Sequence, residues 1–318
     1  MKTYRITLNL QSAFATPMKG DTLFGQLCWA IRNRLGETML SACLDGYRAG
    51  RPFAVLSDAF PKGYLPLPKL PGFYYEAIPG ADRKAVKRRC WLPESAVAKP
   101  LAQWLSHAET AADIAGKAGQ LSQKHPQPHN SIDRRTGTTG VGAFAPYSIE
   151  QEWFVPGLEW SVYLLLDDSR LSADDCRQCL QDIGQIGFGR DAGIGLGKFD
   201  LKDFAKAELP AQDQANSCLT LAPCVPQGQG YDGQRSFYQL FTRFGRHGDR
   251  AVHREGKPFK NPVLLAQTAA VFGVAPPALG FIGQGLGGDG SLSLTLPETV
   301  HQGYAPVIAI DFTVKERA

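Results

Sequence analysis

Few residues in this chain are spaced for covalent chemistry. Histidines stand at 107, 125, 129, 247, 253 and 301, with no HExxH pattern. A hydrolase needs a nucleophile or base with an orienting partner, and a metalloenzyme needs ligands at set spacing. There is no GxSxG and no acidic cluster suited to magnesium. Cys176 and Cys179 form a CxxC, half of a four-ligand zinc site, but no second pair accompanies it. Both thiols share a helical stripe with Leu180 and Ile183, which reads as core packing. His253 beside Arg254 is a lone candidate for metal-free RNA cleavage. No catalytic residue, metal or cofactor is assigned, and the pattern favours a binding protein.

The residue types that recur are those that hold anions. "GRDAGIGLGK" (189–198) sets Gly189, Gly193, Gly195 and Gly197 between Arg190 and Lys198. A dinucleotide loop needs a strand before it and a helix after it, and here a helical pattern precedes and a strand pattern follows. A Walker loop needs Ser or Thr after its lysine, and Phe199 stands there. Two readings remain: exposed amides that line an anion site, with glycines admitting a phosphodiester chain, or a flexible turn. "KGDTLFG" (19–25) joins Lys19, Gly20 and Asp21 to a helix start, a phosphate contact or ordinary capping. "HNSIDRRTGTTG" (129–140) offers Arg134 and Arg135 between turn formers, as an RNA-gripping loop or a disordered tip. "DRKAVKRRC" (82–90) holds five bases in Arg83–Arg89, and 243–260 holds six Lys/Arg, among them Lys257 and Lys260, against Asp249 and Glu255. Such clusters suit a phosphate backbone or a solvated loop equally well.

The elements that would position these residues follow from periodicity. Tyr4, Ile6, Leu8 and Leu10 alternate as a first strand. Phe24, Leu27, Cys28, Ile31 and Leu35 form a helical stripe with Asp21 or Thr22 as N-cap, closed by Gly36. A short helix over 37–47 and a strand within 50–57 come next. Residues 61–145 are less regular, with a helix over 94–108, and read as an insertion. Trp160, Val162, Leu164 and Leu166 mark a buried strand, Ser172 and Asp175 a capping box, and "KFDLKDF" the strand leaving the glycine loop. The order approaches βαββαβ, the ferredoxin-like or RRM-type plan, with one middle strand from either 50–57 or 141–155. After a polar linker at 206–217, strands are expected at 217–222, 236–244, 263–272, 291–296 and 305–314, with "GFIGQGLGGDG" (280–290) as a turn. The expected class is α+β, with domains at 1–205 and 206–318.

Bulk numbers agree with this. The 318 residues are 43% hydrophobic and 20% charged, with net charge +4, ordinary for a globular chain. No apolar run nears the roughly 20 residues of a membrane span. An alternating N-terminus and seven cysteines, mostly in apolar patterns, read as a cytoplasmic protein with reduced thiols and no membrane partner.

Five segments occur in a familiar order: "KGDTLFGQLCWAI", "LSDAFPKGYLPLP", "HNSIDRRTG", "FGRDAGIGLGKF" and "HQGYAP". As a set they resemble the fourth subunit of the type III-A CRISPR–Cas (Csm) effector, in the Cas5-like group of the RAMP superfamily. The resemblance implies two tandem ferredoxin-like domains with antiparallel sheets and an inserted thumb-like segment. It implies a non-catalytic subunit that grips the five-prime repeat-derived handle of the CRISPR RNA. Its implied partners are the large palm-polymerase-like subunit and the backbone RAMP subunit. On this resemblance the glycine loop lines the handle's path, and Lys19, Gly20 and Asp21 approach RNA. Arg134 and Arg135 sit at the thumb, and "GKPFKNP" (256–262) supplies Lys257 and Lys260 in the second domain. "LLAQTAAVFG" departs from the pattern, with Ala where a glycine-serine pair is expected. The alternative on the same fold is a metal-independent CRISPR-RNA-processing endoribonuclease using His253 or His301.

Overall fold

The computed structural model describes residues 1–248 and 258–315. His253, Arg254 and Lys257 therefore lie outside the described residues.

The first half runs β1 (Lys2–Leu10), α1 (Gly20–Leu35), α2 (Glu37–Leu44), β2 (Ala54–Leu56), the hairpin β3 (Ser122–His129) and β4 (Tyr147–Phe154), β5 (Glu159–Leu166), α3 (Ala173–Ile186) and β6 (Phe199–Lys206). The main sheet has the order β6-β1-β5-β2, and the Phe60–Pro61 strand also pairs β5. β1 and β2 are both antiparallel to β5. They are therefore parallel to each other with β5 between them, a split β-α-β arrangement. The middle strand left open by the sequence is Ala54–Leu56, whereas 147–154 pairs only into the hairpin and a bridge from Glu152 to Phe14.

Periodicity explains the core. Ile6 and Leu8 of β1 and Val162 and Leu164 of β5 meet Phe24, Leu27 and Ile31 of α1 and Cys176, Cys179 and Ile183 of α3 in one cluster. Each such side chain contributes about 2 kcal/mol by leaving water. Both cysteines are free and fully buried, and burial pushes the Cys179 thiol up to about 11. The core-packing reading of the CxxC is the observed one. Among the described residues no group of three or more potential ligands could hold a metal, and no helix is long and apolar enough to cross a membrane.

The insertion is more ordered than its pattern suggests. Tyr64–Pro66, Arg89–Pro93 and Glu109–Thr110 form a small sheet, and Leu65, Leu92, Val97 and Trp104 pack beneath it. The helix expected over 94–108 is replaced by single turns at Glu94–Ala96, Leu101–Gln103 and Trp104–His107. Pro100 is the cause, because it removes an amide and pushes Lys99 away from helical backbone.

The second half contains β7 (Ser217–Thr220), β8 (Asp232–Phe237), β9 (Leu240–Arg243), β10 (Val263–Ala266), β11 (Val271–Gly273), β12 (Phe281–Gly287) and β13 (Val300–Ile310). Five of these make an antiparallel sheet in the order β8-β11-β7-β13-β12, and β9 and β10 pair as a separate ribbon. Among the described residues this half carries no α-helix, so they do not complete a second βαββαβ unit. Two expectations are corrected. Residues 291–296 form no strand, and 280–290, expected as a turn, contains β12.

The halves share buried contacts. The Gln302 amide brackets Leu56, accepting from its N–H at 3.0 Å and donating to its carbonyl at 2.8 Å. Leu219, Leu221, Ile308 and Ile310 join the insertion's apolar cluster, to which Tyr163 of β5 also belongs.

Candidate nucleic-acid interface

The segment from Gln11 to Lys19 is the spine of the candidate surface. On one side it holds the glycine loop. The Gln11 N–H donates to Lys198 O, the Gly197 N–H to Ala13 O at 2.7 Å, the Lys198 N–H to Ser12 Oγ at 2.9 Å and the Arg190 N–H to Thr16 Oγ1 at 2.9 Å. In its middle, Phe14 exchanges backbone bonds with Glu152 at the hairpin base. At its end Lys19 begins α1.

These bonds make the glycine loop a fixed structure and not a slack turn. It contains a single 3₁₀ turn, Ala192–Ile194, flanked by left-handed Asp191 and Gly195. A Cβ at Gly197 would stand 2.1 Å from Phe188 O, and one at Gly187 would stand 2.3 Å from Leu196 O. Both glycines are required for strands of backbone to touch. Gly193 differs. It is exposed, its φ is not positive, and nothing lies within 4 Å of where a Cβ would point. The fold gives no reason for glycine there. Arg190 and Lys198 flank this rim with exposed side chains. Arg190 Nε rests 3.1 Å from Asp191 Oδ2, and Lys198 makes no ion pair among the described residues.

The start of α1 is organised around internal anions. Lys19 is the N-cap residue without a side-chain cap, so neither Asp21 nor Thr22 plays the expected capping role. Asp58 supplies the missing anion. Its Oδ1 accepts from the Gly20 N–H at 2.8 Å, and its Oδ2 takes Lys19 Nζ at 2.7 Å and the Thr268 hydroxyl. A carboxylate at a helix N-terminus is stabilising for the same reason a phosphate would be. Burial still pushes the Asp58 carboxyl up, outweighing Lys19 and Thr268. Gly20 is buried with its Cα side 2.2 Å from Leu56 O, so it has no room to meet a ligand. Lys19 keeps a side chain 38% exposed and so retains a face toward solvent.

Asp21 is also internal, 2% exposed. Arg243 grips it with two hydrogen bonds, Nε to Oδ2 at 2.7 Å and an Nη to Oδ1 at 3.0 Å. His301 Nε2 rests 3.3 Å from Oδ2, close enough to pair by charge although it makes no well-aligned hydrogen bond. Burial alone would raise the Asp21 carboxyl, yet His301 and Arg243 together lower it to about 2. Lys260, half-buried, lies in the same field, and burial pulls its pKa down. Arg243 and His301 were not singled out as RNA ligands, and both serve this buried lock. Only a pairing of residues 222 positions apart reveals it.

Arg134 and Arg135 sit beyond the far end of the β3–β4 ladder, which runs from Ser122–Phe154 to His129–Tyr147. Eight residues of strand carry them about 25 Å from the spine. Both are exposed; Arg135 leans on Asp133 at 3.4 Å, and Arg134 makes no ion pair among the described residues. The structure therefore brings Arg190, Lys198, Gly193, Gly195 and Lys19 along one spine. It leaves Arg134 and Arg135 on an arm and turns Asp21 and Lys260 inward. A cavity of about 410 Å³ where the insertion meets the second half, lined by Leu101, Gln212, Asp311 and Lys315 among others, contains no histidine or cysteine and so no catalytic constellation.

No known family model matches the sequence, and no curated protein matches it. Solved structures do. A chain of the Csm3–Csm4 subcomplex in the type III-A CRISPR–Cas interference complex aligns with TM-score 0.63 at 14% identity, over 98% of this chain and 100% of that one. Chains from the Csm1–Csm4 cassette align likewise. The complex with AMPPNP gives TM-score 0.61 at 16% identity, and the complex with pppApA gives 0.60 at 14%, each over 98% of this chain and 99% of that one. The fold is shared from end to end.

Proposed function

We propose that the chain is a Csm4-like, non-catalytic subunit of a type III-A CRISPR effector. In this reading it binds the five-prime handle of the CRISPR RNA and links the large polymerase-like subunit to the backbone RAMP filament. The observation that carries the reading is the end-to-end likeness to chains from complexes that share Csm4 as a named component. The split β-α-β sheet is the first ferredoxin-like domain, the β3–β4 hairpin the thumb, and the helix-poor second half the degenerate second domain, with the boundary near 205. The spine from Gln11 to Lys19 supports an RNA path. A polyanion laid across it would meet Lys19, Arg190 and Lys198 together with the glycine rim, and counterion release from those cations would supply sequence-independent affinity.

The endoribonuclease reading finds less support. His301 is 8% exposed and held against the Asp21 carboxylate, so it has no route to a ribose hydroxyl.

The test is a gel shift with RNA carrying or lacking the repeat handle, run beside co-purification with the large and backbone subunits. Handle-dependent binding that weakens in Arg190→Ala plus Lys198→Ala is expected. Equal affinity for handle-less RNA, unaffected by the double change, overturns the handle assignment. Metal-independent cutting of a precursor repeat would instead revive the nuclease.

A further inference from the structure

The β9–β10 ribbon has its polarity inverted. The ladder Leu240–Arg243 against Val263–Ala266 continues through a bridge between Arg246 and Phe259. Side chains alternate across such a ribbon. The face toward the protein carries its charge: Arg243 grips Asp21, His247 is buried with Nε2 2.7 Å from Ser293 Oγ, and Lys260 is half-buried beside them. The face toward solvent is apolar. Phe244 is 75% exposed, Phe259 62%, Leu240 52% and Leu264 50%, with Thr242 opposite Leu264. Arg246 is the one cation on that face among the described residues, and its guanidinium lies 5.9 Å from the centre of the Phe259 ring.

A surface strand ordinarily turns polar residues outward, and a cluster of exposed large apolar groups marks a contact site. Charge decides what kind of contact. A nucleic acid requires cations aimed at phosphates, yet Arg243 and Lys260 face inward, beside Asp21. The outward composition is aromatic and aliphatic with a single arginine and no Lys, Asp or Glu, which is the make-up of a protein interface core.

We infer that the outer face of the β9–β10 ribbon docks a protein subunit of the same assembly, through an apolar patch bearing a carboxylate opposite Arg246. This rests on the effector-subunit reading above. Asp21 then acts as the positioning residue, holding the ribbon through Arg243 so that its apolar face stays outward.

The experiment uses the full chain with Phe244→Ser plus Leu264→Ser, and separately Arg246→Glu. Affinities for the separately purified large and backbone subunits are measured, with handle RNA and the thermal midpoint as parallel readouts. The expected result is a loss of at least tenfold, about 1.4 kcal/mol, toward one of the two subunits in the double variant and a smaller loss in Arg246→Glu. RNA affinity and the midpoint stay unchanged. Unchanged affinity for both subunits overturns the inference. Lost RNA affinity with subunit binding intact assigns the face to base stacking and overturns it as well. Failure of the unmodified chain to bind either subunit or the handle would strike the effector reading itself, and is told apart because the parent protein fails too.

Discussion

Two glycine-rich stretches, 187–197 and 280–290, look alike in composition and differ in what their glycines do. The second is mostly strand β12, where a Cβ at Gly283 would stand 2.1 Å from Gly303 O, one at Gly285 would stand 2.5 Å from the Tyr47 ring, and one at Gly287 would stand 2.2 Å from Thr299 O. Every one of these three is consumed by the fold. In the first stretch Gly187 and Gly197 are consumed the same way, Gly195 answers to its left-handed φ of 98°, and Gly193 answers to nothing in the chain. A glycine-rich motif is therefore informative about ligands only after the glycines demanded by backbone contact are removed.

The contrast can be broken most forcefully at the consumed positions. Gly197→Ala and Gly283→Ala each place a methyl against a carbonyl at a positive φ, 73° and 100°. Each should cost about 3 kcal/mol in urea unfolding; a cost below about 1 kcal/mol for Gly197→Ala would mean the loop is slack after all.

The next effect is electrostatic and belongs to the neighbourhood of the second stretch, since His301 pairs across β12 with Leu286 and reaches Asp21. The Asp21 carboxyl is held near 2, below its unfolded value of about 3.9. Its contribution of about 2 kcal/mol is complete above the unfolded value and disappears as pH falls from about 4 through 2. Asp21→Asn should lower stability at pH 7 and flatten that acid limb, a shape read from unfolding at a series of pH values. An unaltered limb would remove Asp21 from the account.

At the free rim the effects move from stability to binding. Arg190→Ala plus Lys198→Ala should weaken handle RNA about tenfold and reduce the salt slope by about two, with the thermal midpoint unmoved. Smallest is Gly193→Ala: stability within about 0.5 kcal/mol and RNA affinity down a few-fold. If that affinity does not move, Gly193 is a bystander and the rim is not approached closely.

The first half was legible because its elements announce themselves locally. The stripes of α1 and α3 and the alternation of β1 and β5 specify faces from neighbours in sequence. What escaped depends on distant partners. Asp21 reads as a cap, and only Arg243 and His301 turn it into a buried anion. The 280–290 run reads as a turn because the reason for its glycines, Tyr47 and the Gly303 carbonyl, is remote in sequence. Within the binding surface, Arg190 and Lys198 were visible as charges flanking glycine, while the Gln11–Lys19 spine that fixes them contributes mostly backbone and short hydroxyls. Such groups leave little trace in a residue pattern.

The contacts that join Leu56 to Gln302 and Asp58 to Thr268 span 246 and 210 residues. While the chain leaves the ribosome, its first 205 residues hold two carboxylates and an interior strand whose partners have yet to be synthesised. Those groups stay hydrated until the last strand arrives, so this protein completes its fold only after translation has ended. A fragment stopped at 205 is expected to remain a client of chaperones and not an independent domain.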